Sequence, residues 1–369
     1  MKELYSMGFL KSLFKKEKGN TQENNQDATV LGNGGSYKGY PSSSGLYPAE
    51  VMMLFYAPSY KISEITYPDK FRTEYGVGFP KEIFAKLERD GYIRESLPIE
   101  TIDKLKFTEL KKIAAENNLK VSGNKAELVD RISQNLSNDK LETYALERYW
   151  VLTERGEREK SENEYLGFLL EKHSYDLEEV GISLLRLNEL HKQNGELNVR
   201  DLIWGELNKL SISSYQQAFQ NGDFSLYCSI LKIMSYFIEE ESKYLEALKL
   251  CARYQFYHIN FEAGMRSVQR LRETAGISMI DTISDLYYMD IEILPYMITR
   301  IKELMSKSGM NSSELNKLLL TEFNAISDDG YLSKKLTAQF IMDQLAGNIT
   351  DAKKLCIEAT KNAKRKIKR

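Results

Sequence analysis

The sequence predicts a mainly α fold: a short helix-extended-turn-helix module set in or beside a small α+β domain, then an all-α region of helical hairpins. Three observations carry this. Apolar residues recur three and four apart through most of the chain after Gly156. Strand-like runs are confined to Tyr92-Ile93-Arg94 and Tyr149-Trp150-Val151-Leu152-Thr153. Between those runs lie two short lysine-bearing helical patterns joined by an extended stretch.

The bulk properties bound the rest. A chain of 369 residues suggests two or three domains, and an apolar fraction of 42% is enough to bury real cores. Charge is dense but balanced, 51 basic against 53 acidic residues, so contact with a polyanion must come from a local patch. Cys228, Cys251 and Cys356 are odd in number and widely spaced, unlike a disulfide framework, and a reducing cytoplasm fits them. His173, His191 and His258 have no Cys or His at ligand spacing, so neither a metal nor another cofactor is expected. No apolar run approaches the roughly 18 to 20 residues of a membrane span.

In chain order, residues 1–18 mix Leu4, Phe9, Leu10, Leu13 and Phe14 with Lys11, Lys15, Lys16 and Lys18, the pattern of a basic amphipathic helix. A terminal helix is expected there in preference to a membrane anchor. Residues 19–47 turn to Asn, Gln, Gly and Ser and read as a flexible linker. Residues 48–160 form the small domain. Pro48 opens a helix with Val51, Met52, Leu54 and Phe55 on its apolar face; a second helix runs from Pro80 to Asp90 with Ile83, Phe84 and Leu87 inward, and Gly91 ends it. Thr153 opens a further helix after the second strand run.

Residues 161–360 are expected to be all helical, punctuated by Asn194-Gly195, Asn221-Gly222, Gly276, Gly309, Asp329-Gly330 and Gly347-Asn348. A hairpin from Phe224 to Tyr257 turns at Glu239-Glu240-Glu241. Its second helix begins Tyr244-Leu245-Glu246-Ala247, which resembles a tetratricopeptide-like repeat. With no second clear copy at the 34-residue period, a solenoid and an irregular bundle both stand. Tyr254, Phe256, Tyr257, Phe261, Tyr287 and Tyr288 read as core aromatics in preference to a base-stacking surface. Residues 361–369 form a basic tail, either a second electrostatic contact or an ordinary basic terminus.

The module at 102–134 carries the functional argument. Thr108 is read as the N-cap of a helix about ten residues long, with Leu110, Ile113 and Ala114 on one face. The chain then runs extended through Leu119-Lys120-Val121. Asn124 caps the second helix while Glu127, three residues on, reaches back in a capping box; Leu128, Val129 and Ile132 form the buried stripe. Lys125 falls in the first turn, where the macrodipole disfavours a cation by up to about 1 kcal/mol. A phosphate on the backbone N–H groups from Gly123 to Lys125 would reverse that sign, since helix end and ammonium both attract it.

The run Phe107-x-x-Leu110-Lys111, Leu119-x-Val121-Ser122-Gly123-x-Lys125-x-Glu127-Leu128-Val129-x-Arg131-Ile132 resembles the SAP domain, a DNA-binding module. The surrounding order, helix, Gly91, strand, then Trp150 to Gly156, resembles a winged helix with the module inserted in its wing hairpin. The overall plan is similar to SAP-domain proteins of bacteria and their phages. The resemblance implies DNA-phosphate contacts at Lys120, Ser122, Gly123, Asn124 and Lys125; Lys111, Lys112 and Arg131 add charge, or form a solvated helix face. Asn124 stands where a basic residue is often found.

The expected function is a cytoplasmic, non-enzymatic DNA-binding adaptor whose helical region contacts a protein partner. The alternative is a protein-protein scaffold in which the module is only structural. No phosphate-binding Gly-x-x-x-x-Gly-Lys loop, Gly-x-Ser-x-Gly elbow or His-Glu-x-x-His pair is present. Asp281, Asp285 and Glu292 read as a solvated face and Asp328-Asp329-Gly330 as a turn.

Overall fold

A computed structural model describes residues 39–144, 146–170, 177–264, 288 and 290–357. The expectations for residues 1–18 and 361–369, His173, Gly276, Asp281, Asp285 and Tyr287 lie outside them. The fold is mainly α, with one two-stranded sheet among the described residues.

The first layer is built on α1 (Pro48–Tyr56), which starts at its proline and is buried along most of its length. Glu50 is fully buried on it, and its carboxylate accepts the Tyr47 N–H at 2.9 Å and pairs with Lys86 Nζ at 2.6 Å. Lys86 lies on α3 (Pro80–Arg89), which follows the short α2 (Lys70–Thr73). Ile83, Phe84 and Leu87 face inward as their spacing predicts. Phe71 sits edge-on to Tyr56 at 4.8 Å, and the indole of Trp150 stacks against Phe84 at 6.1 Å.

Gly91 turns the chain into β1 (Ile93–Glu95), which pairs antiparallel with β2 (Trp150–Leu152) in the register Ile93 to Leu152. The two strand-like runs are therefore partners, and residues 96–149 are inserted between them. Ladder-like bonds continue past the strands: Ser96 N–H donates to Tyr149 O at 2.9 Å, and Trp150 N–H to Tyr60 O at 3.3 Å. After β2, the Thr153 hydroxyl accepts the Gly156 N–H at 3.1 Å and caps α7 (Glu154–Glu162), as read from the sequence.

The end of the stretch expected to be a linker is a packed turn. Tyr40 N–H donates to Asn188 Oδ1 at 2.7 Å, Ser44 Oγ to Glu159 at 2.5 Å, and Tyr92 OH to Ser44 Oγ at 2.9 Å, while Leu46 is buried. Asn188 and Glu159 lie on helices more than 100 residues away and Tyr92 48 residues away, so local composition carried no sign of them.

The helical half follows as α8 (Glu164–Gly167), α9 (Leu184–Gln193), α10 (Val199–Asn221), α11 (Ser225–Glu239), α12 (Tyr244–Tyr257), α13 (Pro295–Ser308), α14 (Ser312–Asn324), α15 (Lys334–Ala346) and α16 (349–357). The α11–α12 hairpin forms where the pattern placed it. Ala247 is fully buried in it, and its carbonyl accepts Ser235 Oγ at 2.9 Å. One aromatic and aliphatic core runs from Ala218 to Cys356 and takes in Phe256, Tyr257 and Tyr288, with Tyr254 and Phe261 packed against it. Cys228, Cys251 and Cys356 are buried thiols within it. No helix among the described residues is long and apolar enough to cross a membrane.

Candidate nucleic-acid interface

The inserted segment has its own small core: Ile102, Leu110, Ile113, Ala114, Leu128, Ile132 and Leu141. It is carried by α4 (Phe107–Glu116), α5 (Lys125–Asn135) and α6 (Asn138–Glu142). Val129, expected in the buried stripe, is half-buried at the edge.

The start of α4 differs from expectation. Lys106, not Thr108, is the N-cap, because Glu109 then falls at N3 and its carboxylate accepts the Lys106 N–H at 2.7 Å. A cap at Thr108 would put Lys111 at N3, where no acceptor exists. At the other end Asn117 Nδ2 donates to Ile113 O at 2.8 Å and to Tyr144 OH at 2.7 Å, and Asn118 takes a left-handed φ of 57°. The Leu119 N–H returns to Ala114 O at 2.8 Å and points the chain into its extended stretch.

The turn into α5 is held by three devices. Asn124 Oδ1 accepts the Glu127 N–H at 3.0 Å and Glu127 Oε2 accepts the Asn124 N–H at 3.3 Å, so the capping box forms as its spacing predicts. Gly123 has a φ of +119°, and a Cβ there would lie 2.1 Å from Glu127 Oε2. Beneath the turn, Arg131 Nη1 donates to Ser122 O at 3.1 Å and also to Lys120 O.

This geometry sorts the expected site residues. Lys120, Ser122, Gly123, Asn124 and Lys125 come together as an exposed turn, with Val121 42% exposed among them. The backbone expected to face an anion shifts by one position: the Asn124 N–H is occupied by Glu127, and Lys125 and Ala126 hold the two first-turn N–H groups that a capping box leaves for an outside acceptor. Lys111 lies over the Phe107 ring at 4.4 Å, and Lys112 faces Glu116 at 3.9 Å on the solvated side of α4. Arg131 turns toward the turn's carbonyls. Sequence reasoning missed that role, although Arg131 stands seven residues after Asn124, two helical turns along the same face.

Sequence reasoning also missed what anchors the module. Arg148 reaches Ser96 O and the carboxylate of Glu142, Arg94 makes a bidentate pair with Glu100 at 2.7 and 2.8 Å, and Ile99 N–H donates to Asn138 Oδ1 at 3.0 Å. Lys104 Nζ bonds Pro58 O at 2.6 Å and lies over the Tyr149 ring at 3.8 Å. Both ends of the module are thereby tied to the strands and the body behind them.

Two features away from the module are structural joints. A cleft of about 350 Å³ is lined by Tyr40, Ser42, Glu162, Tyr165, His191 and Lys192. At its floor Asn188 is engaged by Tyr40 and Tyr165, and the His191 ring stacks flat on Tyr165 at 3.8 Å. The expected acidic turn is a clasp: Asp328 accepts Tyr215 OH at 2.8 Å and Tyr257 OH at 2.9 Å, joining it to α10 and α12. Glu292 accepts Tyr288 OH at 3.2 Å. Among the described residues no three His, Cys, Asp or Glu side chains gather as a metal site.

Compared with known proteins, no curated protein and no solved structure matches this chain. Residues 101–137 do match a family, and their bounds enclose α4, α5 and the turn between them, as the 102–134 reading implied. That family is the SAP domain, and residues 101–137 of this chain are a SAP domain.

Proposed function

We propose that this chain is a non-enzymatic DNA-binding adaptor of bacterial or phage type, which grips the phosphate backbone of duplex DNA through its SAP domain and presents its helical half to a protein partner in the cytoplasm. The observation that carries the reading is the SAP match on a segment whose turn from Lys120 to Lys125 is exposed and built around a helix start. A phosphate there meets the N–H groups of Lys125 and Ala126, the positive end of the α5 dipole and the ammonium groups of Lys120 and Lys125. Nothing in the turn supplies a fork aimed at base edges, so binding rests on backbone contacts and is tolerant of sequence.

Fluorescence anisotropy with a labelled duplex tests this. The full chain is expected to bind with a steep dependence on salt, and the Lys120→Glu, Lys125→Glu double variant to lose at least tenfold at low salt. Unchanged binding in that variant removes the turn from the interface.

One observation favours a second reading, a scaffold in which the module is structural. Lys111, Lys112 and Arg131 are all engaged within the module, and Glu127 places a carboxylate in the turn. A full chain that captures a protein partner yet shows no affinity for duplex, single strand or RNA selects this alternative.

A further inference from the structure

The structure assigns Arg131 a positioning role in the proposed DNA contact: its guanidinium sets the direction of the turn's peptide groups and does not itself neutralise phosphate. This rests on the DNA-binding reading above.

Arg131 holds two carbonyls, Lys120 O and Ser122 O. A planar trans peptide carries its C=O and the following N–H on opposite sides, and no cis bond occurs among the described residues. Drawing Lys120 O and Ser122 O toward the guanidinium therefore turns the N–H groups of Val121 and Gly123 away from it. Residues 120–127 are exposed, so those N–H groups point to the side from which a ligand arrives. They join the Lys125 and Ala126 N–H groups at the helix start.

Arg131 suits this task by place and by chemistry. It lies on α5 between Leu128 and Ile132, both fully buried in the module core, and is itself half-buried. The charge-assisted bonds to two carbonyls of one extended stretch are stronger than neutral ones. Among the described residues the only carboxylate bonded into the turn, Glu127, is engaged with Asn124, which leaves the carbonyls to Arg131. Both bonds come from Nη1, which commits that end of the guanidinium to the turn; the salt slope decides whether Nε and Nη2 also neutralise a phosphate.

The test compares Arg131→Met, which keeps the stem and removes the donors, with Lys125→Met in the full chain. Two measurements are made: hydrogen exchange of the peptide covering 119–124 without DNA, and duplex affinity as a function of salt. Arg131→Met is expected to raise exchange in the turn several-fold and to weaken duplex binding about three- to tenfold, with the slope of log K against log salt unchanged. Lys125→Met is expected to leave the exchange at the wild-type rate and to reduce the slope by about one phosphate.

An Arg131→Met protein with wild-type exchange and a slope reduced by about one overturns the assignment and makes Arg131 a direct phosphate contact. Should the wild-type chain bind no duplex, the functional reading fails, and the exchange comparison alone then decides whether Arg131 holds the turn. A global loss of fold in Arg131→Met would appear as faster exchange beyond the module; Arg131→Lys, which retains a donor for the same carbonyls, is then expected to restore slow exchange at 119–124, and failure to do so counts against the assignment.

Discussion

Glu127 is the residue at which stability and proposed function pull in opposite directions. Its carboxylate completes the capping box and fills the space left by Gly123, yet it places negative charge beside the N–H groups offered to phosphate. Glu127→Gln keeps an acceptor for the Asn124 N–H and removes the charge. It is expected to raise duplex affinity two- to fivefold at low salt with a melting shift of only a degree or two, since an exposed cap interaction is worth about 1 kcal/mol or less. An affinity lowered by this change would show that the carboxylate is needed where it stands. At Cys251, burial pushes the thiol up to about 11, so little thiolate forms near neutral pH in the folded chain.

At the scale of elements, the module's core decides whether the turn exists at all. Leu128 is fully buried between α4 and α5 in a core of seven residues. Leu128→Ala should cost about 2–5 kcal/mol locally, and hydrogen exchange is expected to show residues 102–141 opening while α11 and α12 keep their protection. Protection lost equally everywhere would mean that the module and the helical half unfold as one unit. Most of these elements were legible in the sequence, because caps and apolar spacing are local: Asn124 with Glu127, Pro80 to Gly91, Thr153, and the α11–α12 hairpin all stand where they were read. What was not legible depends on partners far away in the chain. Arg131 looked like one more surface cation, the turn at 39–47 like a loose linker, and Asp328 like an ordinary turn, until folding brought carbonyls, Asn188, Tyr215 and Tyr257 to them. Thr108 misled because threonine is a good cap in general, and only the position of Glu109 selects Lys106.

For the whole molecule, acid is expected to act in two stages. Burial lowers the pKa of His191, which is stacked on Tyr165 with its Nδ1 enclosed and unbonded. A folded-state value below the unfolded one of about 6.5 means this contribution is complete above that pH and is lost as the pH falls through the folded value. Glu100 and Glu241 are also held low, chiefly by bonds to Arg94 and Lys243; burial alone would raise Glu239, but Lys307 and Arg300 outweigh it. Those groups act later, below the usual carboxylate range. Urea midpoints measured from about pH 7.5 down to about pH 2.5 should therefore fall first below about 6.5, and His191→Gln should remove that early decline while leaving the later one. An early decline that persists in the variant places its origin in another group.

The insertion between β1 and β2 has a mechanical consequence. A domain hung from one end of a chain can swivel, and any twist in its ligand is dissipated there. This domain leaves from Glu95 and returns at Trp150, with Arg148, Arg94 and Lys104 bracing the two exits. Torque applied to whatever the turn grips is therefore handed to the sheet and to α1 behind it. On the proposed reading, a duplex held by the turn would keep a set rotational angle to the sheet and to α1, where a swivelling domain would only hold on.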